Sequence, residues 1–265
     1  MTSYPDVMGD IDAYLVRPNL KEPRPAILLI HEIFGLVDHT KDVANRFAAQ
    51  GYVVLAPNLF SSNKEIASIL SPQTIATLYQ LAQKLPPTRD PEIFRREVEN
   101  LPPDKREPIS KAFGLLMGGG LPREKLFEEA AKGAQYLKAQ SYVNGKVGSV
   151  GFCFGGGVSV EVACRTKTEA CVIFYGANPN PIETVKKIQC PVLGLYGGED
   201  SRINADLDKL VSAMVKYKKD FEMKIYPGAP HAFFNDTNKA TYRESAAKDA
   251  WERSLRFYEH AFSRN

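Results

Sequence analysis

The pentapeptide Gly151-Phe152-Cys153-Phe154-Gly155 holds a thiol between two glycines, each two residues away. It follows directly on an apolar run ending at Val150, and a helical pattern begins straight after it. A strand that turns sharply into a helix needs that spacing. The nucleophile at the tip takes a strained backbone conformation, and flanking glycines let the two chain segments cross. The side chain then stands above the sheet, beside the positive end of the helix, which favours a thiolate or an oxyanion. The chemistry served is acyl transfer: sulfur attacks a carbonyl, and the N–H of Phe154 points at the oxygen that becomes charged.

Such a nucleophile requires a base and a group to orient that base, in the chain order nucleophile, carboxylate, histidine. Asp200 follows an apolar run over 192–196, with Glu199 beside it as a rival carboxylate. His231 sits in the loop Pro227-Gly228-Ala229-Pro230-His231, straight after the run over 221–226. Both positions lie beyond strand carboxyl ends, where ligands bind in open α/β sheets. His260 falls in the last helical segment and reads as a surface residue. A fourth loop, Ile30-His31-Glu32-Ile33-Phe34-Gly35, offers a second oxyanion N–H from Ile33 and places the Glu32 carboxylate in the same crevice. A carboxylate there disfavours the thiolate by like-charge repulsion.

The elements that must position these loops show as alternation. Unbroken apolar runs at 26–30, 52–56, 147–152, 170–175, 192–196 and 221–226 have the pattern of strands buried on both faces. Helical spacing lies between them. It carries Val43, Phe47 and Ala48, then Leu126, Ala130 and Leu137 over 122–138. It recurs with Leu207, Leu210, Val211 and Met214, and again with Ala247, Trp251, Leu255 and Tyr258 from about 241. The pattern predicts a doubly wound, mostly parallel α/β sheet, with 10–17 as an antiparallel edge strand, in one domain spanning 1–265. An excursion at about 60–121 breaks the rhythm. Ser71-Pro72 and Asp90-Pro91 each signal a helix start, and Pro108 is read as opening a third helix that ends at Gly118-Gly119-Gly120. Helices inserted at strand ends suggest a lid over a site; the alternative is peripheral decoration.

Composition narrows the function classes. The 265 residues are 44% hydrophobic and 25% charged, which excludes wholesale disorder, collagen-like repeats and a coiled-coil rod. Thirty-four Lys+Arg against 31 Asp+Glu give a net +3 with signs interspersed, so no footprint for nucleic acid or an anionic membrane appears. A small molecule is the expected partner; the oligomeric state has no signature. No run reaches the roughly 20 apolar residues of a membrane helix, and MTSYPDVMGDID has no signal-peptide pattern. A cytoplasmic protein is expected. Cys153, Cys164, Cys171 and Cys190 form no CxxC pair and no metal-ligand set, so neither metal nor organic cofactor is expected.

Asn144-Gly145-Lys146-Val147-Gly148 leading into Gly151-Phe152-Cys153-Phe154-Gly155-Gly156, with His31-Glu32-Ile33-Phe34-Gly35 and His231-Ala232-Phe233, resembles the dienelactone hydrolase (carboxymethylenebutenolidase) family. The resemblance covers nearly the whole chain. It implies an α/β-hydrolase fold and a cysteine hydrolase of esters or lactones. By motif, Cys153 would be nucleophile, Asp200 the acid and His231 the base. Glu32 would contact the resting thiol, and Ile33 and Phe154 would supply the oxyanion N–H groups. Two departures concern substrate. Family members that open dienelactone hold its carboxylate with arginines, whereas here Pro57-Asn58-Leu59-Phe60 runs on to Ser61, and Phe233-Phe234-Asn235-Asp236 follows the histidine loop. Either the substrate is less anionic, or the charge comes from elsewhere; the excursion offers Arg89, Arg95, Arg96 and Arg106, whose alternative reading is a solvated helix face. Sulfur restricts the chemistry as well, because a thiolate leaves readily unless the departing oxygen is comparably stable. Activated esters and strained lactones satisfy that condition; amides do not. The rival readings are a small-molecule-binding protein on a hydrolase scaffold, and a redox protein in which Cys164 or Cys171 resolves an oxidised Cys153.

Overall fold

In the computed structural model, which describes residues 1–4, 10–84 and 91–264, the apolar runs become strands of an eight-stranded sheet. The strands are β1 (Thr2–Tyr4), β2 (Ile11–Val16), β3 (Arg24–Ile30), β4 (Val53–Pro57), β5 (Val143–Phe152), β6 (Ala170–Phe174), β7 (Val192–Gly197) and β8 (Phe221–Tyr226). They lie in the order β1-β2-β4-β3-β5-β6-β7-β8. From β4 to β8 all pairs are parallel, while β2 runs antiparallel to both β1 and β4. The expected antiparallel strand is therefore present, but it is not an edge. The short β1, which has too few residues to show a period, covers it.

Double-sided burial explains the unbroken runs. Along β3, Ala26, Leu28 and Ile30 enter the cluster on one face, while Ile27 and Leu29 enter the cluster on the other. On the second face lie α1 (Asp38–Ala49) and, at the chain's end, α10 (Glu244–Ser263). The first face carries the excursion helices, then α6 (Arg123–Lys138) and α7 (Phe154–Arg165). Further along it, past the short α8 (Ser201–Asn204), α9 (Leu207–Lys216) packs with α7 against β6 and β7.

Among the described residues the excursion comprises four helices, α2 (Lys64–Ile69), α3 (Pro72–Lys84), α4 (Pro91–Glu99) and α5 (Pro103–Met117). Ser71 caps α3 as expected, its hydroxyl accepting the Thr74 N–H at 3.2 Å. Helix α2 is capped by the Asn63 side chain, which accepts from Glu65 and Ile66. Pro108 does not open the third long helix. That helix begins at Pro103, and Pro108 lies within it. Pro103 already occupies the first-turn position that tolerates a missing N–H. Asp90 lies outside the described residues. Ile75, Leu78, Leu81, Phe94, Ile109 and Leu116 are buried in one cluster with Leu28, Ile30 and Leu55 of the sheet. The excursion is thus anchored through apolar side chains on the same face that β3 and β4 present.

Candidate active site

The chain enters β3, steps to β4 on one side, and returns to β5 on the other. A crevice opens at such a switch point, beyond the carboxyl ends of the two strands. The register pairs Ile30 with Gly151, so Glu32 and Cys153, each two residues further on, emerge side by side. Cys153 has φ 58° and ψ −116°, the left-handed strain expected of an elbow. The glycines are obligatory here. A Cβ on Gly151 would lie 1.8 Å from the Gly155 carbonyl oxygen, and one on Gly155 would lie 2.3 Å from that of Ile30. The crossing chains fill that space with backbone.

Asp200 follows β7 and His231 follows β8. The His231 Nδ1 is hydrogen-bonded to Asp200 Oδ2, and both residues are buried. Burial works against the Asp200 carboxylate, but the hydrogen bond and charge of His231, with the Ile203 N–H, outweigh it. Its pKa lies below the ordinary aspartate value. Glu199, the rival, is exposed. Cys153, His231, Glu32 and Ile33 line one pocket. Among the described residues no protein carbonyl takes the N–H of Ile33 or Phe154. His260 is exposed on the last helix, as expected.

Four residues of this site were not singled out from the sequence. Asn235 is buried and donates from Nδ2 to Glu32 Oε2 at 2.8 Å and to the Tyr79 hydroxyl at 3.1 Å. Thr237 closes the group, donating to Asn235 Oδ1 at 2.7 Å and bonding the Tyr79 hydroxyl at 2.6 Å. Glu32 is therefore tied through a neutral amide to Tyr79 on α3, an excursion helix. Tyr175 is fully buried at φ 39°, and its ring lies 5.0 Å from that of His231, backing the histidine.

His31 shapes the Glu32 loop from beneath. The Leu59 N–H donates to Nε2 at 3.2 Å, so Nδ1 carries the ring proton and donates to the Glu32 carbonyl at 2.6 Å. Burial lowers its pKa from 6.5 to about 4. A neutral folded histidine that protonates on unfolding makes the unfolded state bind more protons. Stability is then full above pH 6.5 and falls as pH drops towards 4, by about 3 kcal/mol in all. Denaturant midpoints measured across that window should show the loss in wild type and a flatter profile in His31→Gln.

The remaining wall of the pocket is mostly apolar, with Gln83, Asn238 and Thr241 as its uncharged polar members. Leu78, Ala82, Phe94, Phe113, Leu116 and Met117 of the excursion face Cys153 across it, and no lysine or arginine lines it among the described residues. The described excursion arginines do not line this pocket. Arg95 is exposed and pairs with Glu92 at 2.6 Å, Arg96 is exposed, and Arg106 donates to the Leu101 carbonyl at 2.9 Å. Arg89 lies outside the described residues. The other thiols are core residues. Burial pushes Cys164 up to about 12 and Cys190 up to about 11, and raises Cys171 as well, so none is poised to resolve an oxidised Cys153. Among the described residues no three His, Cys, Asp or Glu gather to hold a metal ion, and no helix is long and apolar enough to cross a membrane.

Residues 11–262 match the model of the Dienelactone hydrolase family. A relative from Saccharolobus solfataricus named "Putative carboxymethylenebutenolidase" is 39% identical over 249 residues, covering 93% of each chain. A second relative of that name, from Methylorubrum extorquens, is 29% identical over 92% of this chain and 75% of its own. In fold, the chain is similar to the dienelactone hydrolase of Anabaena variabilis, with a TM-score of 0.64 at 16% identity over 98% and 95% of the two chains. It is also similar to a dienelactone hydrolase-like promiscuous phosphotriesterase from metagenomic libraries, with a TM-score of 0.69 at 21% identity over 98% and 96%.

Proposed function

Because the chain belongs to the dienelactone hydrolase family and has its α/β-hydrolase fold, we propose that this hydrolase cleaves uncharged, activated esters or lactones through a thioester on Cys153. The observation that carries the reading is the conjunction at one pocket of a thiol on a strained strand-to-helix turn and a buried histidine bonded to Asp200. Binding alone gives the His231–Asp200 pair no task.

In this mechanism Cys153 attacks the substrate carbonyl and His231 manages the proton. Asp200 holds the imidazole with Nδ1 protonated, leaving Nε2 to face the reacting groups. The N–H groups of Ile33 and Phe154 hold the oxyanion, an interaction for which each donor is worth about 3–4 kcal/mol. The alkoxide or enolate leaves, and His231 then activates water against the thioester. The helix beginning at Phe154 favours thiolate, while the Glu32 carboxylate opposes it. Since Asn235 brings no positive charge to Glu32, the opposition is not neutralised locally.

The same neutrality defines the substrate. A carboxylated ligand would carry a second anion into a largely apolar pocket already holding Glu32, with no lysine or arginine among the described residues to pair it. The test is a matched panel of aryl esters and enol lactones, with and without a carboxylate. The neutral members are expected to show kcat/KM higher by about 100-fold, equivalent to roughly 3 kcal/mol. Equal or better turnover of the carboxylated members would refute the assignment.

A further inference from the structure

Strand β8 ends the sheet, and no described strand pairs with its outer side. The carbonyls of Asp220 and Tyr226 accept from Val192 and Gly198 of the β7 side, so the even-numbered residues of this strand turn their backbone groups inward. Phe221, Met223 and Ile225 must then turn theirs outward. No hydrogen bond among the described residues takes up those outward groups. Met223 is 41% exposed and Ile225 39%, while Val215 of α9, on the same side of the sheet, is 73% exposed.

The sequence of this edge is self-complementary. Read from Phe221 to Ile225 it runs apolar, acidic, apolar, basic, apolar. We infer that β8 pairs antiparallel with β8 of a second copy, about a twofold axis through Met223, so that two sheets join into one. In that register Met223 faces its counterpart, Phe221 faces Ile225, and Glu222 faces Lys224, twice. The odd-numbered residues, whose backbone groups point outward, are also those that must exchange hydrogen bonds. Backbone parity, apolar side chains and charge thus select the same register. A slip of one residue would set inward-facing groups against outward ones and lose both charge pairs.

Strand β8 lies three strands from β5, and none of Phe221–Ile225 lines the Cys153 pocket, so the test can vary this edge without replacing a pocket residue. Sedimentation of the full chain over a range of concentrations is expected to show a dimer. Glu222→Lys and Lys224→Glu should each place like charges opposite one another and raise the dissociation constant by roughly tenfold or more. Mixing these two variants in equal amounts, or combining both changes in one chain, should restore the dimer. Met223→Pro, which removes an outward N–H and leaves the β7 ladder intact, should weaken it too. Hydrolysis of a neutral aryl ester by each variant serves as the check on folding. A wild type that stays monomeric at every concentration would overturn the inference, with Lys224 then acting to guard the edge. So would a dimer indifferent to the charge reversals.

Discussion

Replacing Cys153 with alanine is expected to lower kcat towards a neutral aryl ester by about ten-thousand-fold or more, with the thermal midpoint nearly unchanged. The small loss of sulfur packing leaves the elbow's backbone in place, because its conformation is set by the crossing of Gly151 and Gly155 with their neighbours. Substrate should still bind, since the apolar wall from α3 and α5 is independent of the thiol. The signature is therefore a collapse in kcat with KM little altered. Loss of binding with kcat preserved would show that Cys153 only lines the pocket.

The second large effect is expected at Asp200. Asp200→Asn should cut kcat by roughly a thousand- to ten-thousand-fold, because an amide no longer holds the imidazole in its productive tautomer. The carboxylate stays ionised through neutral pH, since its pKa lies below the ordinary value. A depressed carboxylate contributes stability above its unfolded pKa and loses it as pH falls through the folded one. The pair therefore holds across the neutral range and fails only in strong acid, below the window in which His31 titrates. Retention of wild-type kcat by Asp200→Asn, or transfer of the defect to Glu199→Gln, would contradict the assignment.

What the sequence disclosed and what it hid have physical reasons. The elbow is local: five residues and the apolar run before them suffice, so Cys153 and Phe154 were legible. Glu32, Ile33, Asp200 and His231 were legible because each stands just beyond an apolar strand, and strand ends converge in this fold. The sheet itself was legible from runs buried on both faces. Asn235 was not, because its meaning lies in a contact with Glu32 across 203 positions and with Tyr79 across 156. An asparagine in a loop carries no local sign of such a pairing. Strand β1 is three residues long and shows no period, and α2 is marked by little more than its Asn63 cap. Pro108 misled because a proline in a helix is favoured in the first turn and disfavoured in the interior, whereas the first turn here is held by Pro103 and Pro108 lies inside.

These same long-range contacts bear on substrate choice. The residues that close the pocket come from the excursion, and Asn235 binds Glu32 to one of its helices through Tyr79. Among the described residues, an excursion whose inner face is mostly apolar and whose Arg95 and Arg96 are exposed suits a neutral ligand.

The most direct test of the central claim is the intact mass of the enzyme quenched during turnover of a neutral aryl ester, followed by peptide mapping. An acyl adduct on Cys153 is predicted, formed in a burst, discharged by water, and persistent when His231 is replaced by glutamine. Steady hydrolysis with no adduct on Cys153, undiminished in Cys153→Ala, would contradict the account.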